Sequence, residues 1–101
     1  MDFKVIFKDT FLEDLGQIVR RIAVHNPTAA LKLGQLIVQT GERLNFFPER
    51  YPKVPQRPGI RRFIVKGHFK VFYRVQPDSK TVEILRCWDA HRESDPLISS
   101  N

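Results

Sequence analysis

IRRFIVKGHFKVFYRVQPDSKTVEILRCW, residues 60–88, decides the fold. It divides into IRRFIVK, FKVFYRVQ and TVEILRCW, three runs rich in the β-branched and aromatic residues that suit a pleated surface. Gly67-His68 and PDSK separate them, and both are hairpin-turn signals. The stretch therefore predicts a three-stranded antiparallel meander.

Side chains alternate along a strand, so the turns decide which residues share a face. A two-residue turn at Gly67-His68 pairs Lys66 with Phe69 and sets Arg61 opposite Arg74, and a four-residue turn pairs Gln76 with Thr81. One face then carries Arg61, Phe63, Val65, Lys70, Phe72, Arg74, Glu83, Leu85 and Cys87. The other carries Arg62, Ile64, Lys66, Phe69, Val71, Tyr73, Val82, Ile84, Arg86 and Trp88. Two readings of the first face stay open. In one, Arg74 pairs with Glu83 across the strands while Arg61 and Lys70 are solvated. In the other, the cations form a groove for phosphate or for a partner's acidic residues. Across both faces, Arg62, Arg74, Arg86 and Trp88 are the candidate binding residues.

Before the meander, FKVIF at 3–7 reads as a first strand. Thr10 and Glu13 have capping-box spacing, and Phe11, Leu12, Leu15, Ile18, Val19 and Ile22 make one apolar stripe of a helix ending near His25. Asn26-Pro27 supplies the N-cap and first residue of a second helix, striped by Ala30, Leu33, Ile37, Gly41 and Leu44. So short a connection predicts an antiparallel helical hairpin. PERYPKVPQRPG, 48–59, holds four of the seven prolines and reads as an irregular loop. The order strand, helix, helix, strand, strand, strand predicts an α+β domain over 1–101, the hairpin on one face of a small twisted antiparallel sheet. LISSN, 97–101, has neither periodicity nor caps and is a candidate disordered tail.

With 42% hydrophobic and 28% charged residues the composition is that of a globular chain. No segment approaches the roughly 20 apolar residues that span a bilayer, and MDFKVIFKDT is no signal peptide, which points to a cytoplasmic protein without a membrane partner. The net charge of +6 favours a polyanionic or acidic partner. Cys87 is the one cysteine and reads as a small buried hydrophobe. His25 and His68 fall at a helix end and a turn, and the three histidines show no metal-ligand spacing, so neither metal nor cofactor is expected. His91, beside Arg92, is either a proton-transfer group or polar surface. Tyr73 reads as core or edge rather than catalyst, and Trp88 as either a base-stacking platform or a ring packed under the tail.

RRFIVKGHFKVFYRV (61–75) followed by VEILRCWDAHRE (82–93), after a capped hairpin ending in FPERYP (47–52), resembles the RelE/ParE superfamily of type II toxin-antitoxin toxins. The resemblance implies a growth-arresting toxin of a plasmid-stabilisation module, bound in a hetero-oligomer by an acidic antitoxin that folds on binding. RelE-like members cut mRNA on the ribosome, whereas ParE-like members inhibit DNA gyrase. In the nuclease branch basic groups stabilise the phosphate as a ribose hydroxyl attacks it. Carried over by motif, Arg61, Lys70 and Arg92 match that branch's basic positions, and His91 is the candidate proton carrier. Phe63 stands where a second lysine is usual and Ile98 near where a catalytic tyrosine would be. GIRRFIVKGHFKVFYRV resembles the ParE-like central hairpin, while HRE at 91–93 resembles the RelE-like C-terminal motif. The resemblance favours the ParE-like branch, with a ribosome-dependent endoribonuclease as the alternative and a non-toxic basic adaptor as a third reading.

Overall fold

The computed structural model describes residues 2–92; Ile98, Glu93 and the candidate tail 97–101 lie outside them. Strand β1 (Lys4–Phe7) leads into helices α1 (Asp9–Ala23) and α2 (Pro27–Glu42), then two short 3-10 turns, Arg43–Asn45 and Pro48–Arg50. Strands β2 (Arg61–Val65), β3 (Phe69–Gln76) and β4 (Thr81–Asp89) follow. The sheet order is β1-β4-β3-β2, with the meander antiparallel and β1 parallel to β4. This is the expected α+β architecture, the first strand joining the far edge of the meander.

Asn26 caps α2 as its sequence predicts, Oδ1 accepting from the Ala29 N–H at 3.0 Å. The α2 stripe is buried from Ala30 to Leu44. A methyl group on Gly41 would come within 3.1 Å of the Phe7 ring, so the missing side chain lets α2 sit close on β1. On α1, Phe11, Leu15 and Ile18 are buried, but Leu12 is half exposed and does not belong to the stripe.

The expected capping box does not form. Lys8 is the N-cap residue, and the Thr10 hydroxyl donates to the Leu85 carbonyl at 2.7 Å instead. The cause lies in β4. Phe72 pairs with Arg86 but Tyr73 with Ile84, so Leu85 is the extra residue of a β-bulge. Thr10 thus gives the carbonyl of the bulged residue a donor from α1.

The bulge also corrects the expected faces. Val82 and Ile84 face the helices, and after Leu85 the alternation shifts so that Cys87 does too. Arg86 and Trp88 therefore part from Val82 and Ile84. The β2–β3 register differs in the same way: Val65 pairs with Phe69 and Arg61 with Tyr73, across a three-residue connection in which Lys66 and Gly67 both have positive φ, 56° and 82°. A two-residue turn would have put Phe63 and Val65 on the face away from Phe69, Val71 and Tyr73. The observed slip joins all five in one core against α1 and α2 and avoids Arg61 facing Arg74.

Candidate functional site

Once the register is corrected, the basic residues of the meander fall into three settings. On the face away from the helices lie Arg62, Ile64, Lys70, Phe72 and Arg74, with Trp88 opposite Lys70 in the ladder. Phe72 is fully buried there. Arg74 donates to Glu83 Oε1 from both Nε (3.0 Å) and Nη2 (2.6 Å). The expected cross-strand pair therefore exists, and Arg74 holds the Glu83 carboxyl below its ordinary range.

Arg61 lies on the opposite, helix-facing side beside Tyr73, so the structure separates it from Lys70. Its Nη1 donates to the Tyr51 carbonyl at 2.7 Å and the Glu49 carbonyl at 3.2 Å. Tyr73, completely buried, donates its hydroxyl to the Pro48 carbonyl at 2.7 Å, and burial pushes its pKa up to about 12. Arg50 adds a third anchor, donating to the carbonyls of Arg43, Phe46 and Phe47. Arg61 and Tyr73 fix the start of the proline-rich loop by its backbone oxygens, and Arg50 ties that loop to the chain that enters it. The same loop covers the outer edge of β2, where Arg62 N–H donates to the Pro52 carbonyl at 3.1 Å and Lys53 bridges Arg61. Sequence reasoning treats Tyr73 only as core or edge, since nothing local shows that its hydroxyl meets a carbonyl 25 residues away.

The third setting is the edge of β4 beyond the end of β1, where α1 takes over as neighbour. Asp14 accepts from the Cys87 N–H at 3.0 Å and from Arg86 Nε and Nη2 at 2.6 and 3.1 Å. Two turns further along α1, Arg21 pairs with Asp89 at 2.9 Å. Thr10, Asp14 and Arg21 thus close an edge that would otherwise be an open template for pairing. Arg86, a candidate binding residue, is engaged here rather than on the sheet face. Cys87 is buried and its thiol is pushed up to about 12, chiefly by burial, so it is an inert core group as expected.

At the turn end of this edge, Ala90 N–H donates to the His68 carbonyl at 2.8 Å. The His68 and His91 rings stack with centroids 4.0 Å apart, and Asp89 lies beside both. A shallow hollow lined by Arg21, Trp88, Asp89 and Arg92 adjoins them. The sequence spacing of the histidines had given no sign of this grouping. Of the four residues expected in a nuclease, His91 and Arg92 fall at this end of the sheet, and Arg61 is clamped to the loop at the other.

A second exposed feature is apolar. Leu15, Val19, Ala30, Leu31, Gly34 and Val38 line a groove along the helical hairpin, with Leu31 61% exposed. Among the described residues no helix is long and apolar enough to cross a membrane.

Residues 5–94 match the family model of the ParE toxin of the type II toxin-antitoxin system parDE. This chain belongs to that family. Solved relatives share its fold: the chromosomal ParDE toxin-antitoxin system from P. aeruginosa matches at 24% identity over 87% of this chain and 96% of that one, with a TM-score of 0.74. A RelBE toxin-antitoxin complex from Mycobacterium tuberculosis is also 24% identical, covering 88% of this chain and 92% of its own, TM-score 0.64. The archaeal RelE-RelB complex from Pyrococcus horikoshii is 17% identical over 92% and 100%, TM-score 0.58. No curated protein sequence matches the chain. The ParE-family assignment makes this chain a toxin component of a type II module, in agreement with the RelE/ParE resemblance of its hairpin.

Proposed function

We propose that this ParE-family toxin arrests growth by binding a protein target, DNA gyrase, rather than by cutting mRNA, and that an acidic antitoxin neutralises it. The observation that carries the reading is Arg61. In the nuclease alternative it would hold phosphate, yet its guanidinium is committed to the Glu49 and Tyr51 carbonyls on the helix-facing side. Tyr73 is equally committed, and a phenol whose pKa is about 12 is a poor proton carrier near neutrality. The ParE family match favours the same branch.

An antitoxin partner fits two surfaces. The net charge of +6 suits an acidic chain, and the apolar groove on the hairpin suits the hydrophobic side of a segment that folds on binding. The solved ParDE and RelBE relatives are toxin-antitoxin systems, which supports an assembly of that kind here. The test is DNA supercoiling by purified gyrase with increasing folded toxin. Inhibition relieved by an acidic antitoxin supports the proposal; unimpaired supercoiling at excess toxin overturns it.

A further inference from the structure

We propose that His68, Asp89 and His91 form a binding site for a late first-row divalent cation, Zn²⁺ foremost. One ligand atom from each residue lies within 4.8 Å of the others. Ligands of a tetrahedral Zn²⁺, at about 2.0–2.2 Å from the ion, stand roughly 3.3 Å apart. The atoms must therefore close by about 1.5 Å at most, within reach of a side-chain rotation for the exposed His91. Two imidazoles and one carboxylate are a donor set for Zn²⁺, Ni²⁺ or Cu²⁺, leaving a position for water.

The surroundings already orient His68 and Asp89, while the His91 ring, stacked on His68 at 4.0 Å, must rotate out of the stack to reach the ion. The Lys66 carbonyl lies 3.1 Å from His68 Nδ1 and accepts a hydrogen bond from an Nδ1–H, the tautomer that leaves the Nε2 lone pair turned toward Asp89 Oδ1, 3.9 Å away. Arg21 grips Asp89 Oδ2, which orients the carboxylate and leaves Oδ1 for an ion. The His91 N–H donates to that Oδ1 at 3.1 Å, setting the residue over the site, and the Ala90 to His68 backbone bond joins the two segments. A bound ion would staple the β2–β3 connection to the chain leaving β4 and fix His91 and the adjoining Arg92.

The experiment is calorimetric titration of Zn²⁺ into the full-length chain, free of any histidine tag, with His68→Ala, His91→Ala and His25→Ala variants. One equivalent is expected, weakened at least about tenfold by either of the first two substitutions and unchanged by the third, since His25 is exposed beyond the end of α1 and does not belong to the group formed by His68, Asp89 and His91. Binding that survives loss of both His68 and His91, or no binding at all, overturns the proposal. A second reading needs no variant: Cu²⁺ added to the unaltered chain should broaden the imidazole NMR resonances of His68 and His91 before that of His25. Equal broadening of all three contradicts the site.

Discussion

The two ends of the sheet use the same residue types differently. At the loop end, Arg50, Arg61 and Tyr73 are turned onto backbone carbonyls of residues 43–51, and the cations serve the fold. At the turn end, His68, Asp89 and His91 gather side chain to side chain, and Arg92 is exposed beside them. A basic residue in this meander therefore cannot be assigned a role from its type or spacing. The partner decides: a carbonyl of the chain's own loop leaves a guanidinium little freedom to hold anything else, whereas solvent-facing imidazoles remain open to ligands.

This contrast can be broken most forcefully at Tyr73. Tyr73→Ala removes a fully buried ring and should cost about 3–5 kcal/mol in urea unfolding, whereas Tyr73→Phe leaves the Pro48 carbonyl without its donor and should cost about 1–3 kcal/mol. The phenol also carries a pH signature. Its folded pKa is raised from 10.0 to about 12, so the folded chain holds the proton more tightly. The resulting stability is complete below pH 10 and is lost as pH rises toward about 12; Tyr73→Phe should flatten that fall.

Arg61→Lys keeps the charge but loses the guanidinium that reaches two carbonyls, and should cost about 1–2 kcal/mol. Toxicity should then fall only as far as the folded fraction falls. Full loss of toxicity at undiminished stability would place Arg61 in the chemistry instead.

Along the β4 edge, Asp14→Asn weakens a two-point pair with Arg86 at a partly exposed site, for an expected loss of about 1 kcal/mol in the same unfolding measurement. Glu83→Gln should show the smallest change, about 0.2–1 kcal/mol near neutrality, because Arg74 is partly exposed to solvent. Its effect should depend on acid. The folded carboxyl lies below its ordinary 4.5, so the pair stabilises above that pH and the contribution disappears as pH falls through the lowered value. Wild type and variant should converge in acid.

The order of elements, the Asn26 cap, the hairpin stripes and the Arg74–Glu83 pair were legible because each rests on residues close in sequence or on one simple pairing. The β2–β3 register departs from the one its turn residues suggest, although the sequence holds the cue: Phe63 and Val65 alternate in step with Phe69, Val71 and Tyr73 only across a three-residue connection. The turn was misleading because Lys66, a residue that ordinarily avoids positive φ, adopts it beside Gly67. The bulge at Leu85 left a fainter mark, the change of spacing from Val82 and Ile84 to Cys87. Contacts such as Tyr73 with Pro48, or His68 with His91, join segments 25 and 23 residues apart and depend on both registers. Local pattern carries no trace of them.

Primer extension on a reporter mRNA in a reconstituted translation reaction, with and without the purified toxin, tests the central claim most directly. If the loop end serves the fold and the toxin acts on a protein, the translated message stays intact while the same preparation inhibits gyrase. Cuts appearing only on translated message, and lost in Arg61→Lys at unchanged stability, would contradict the account and return Arg61 to the phosphate.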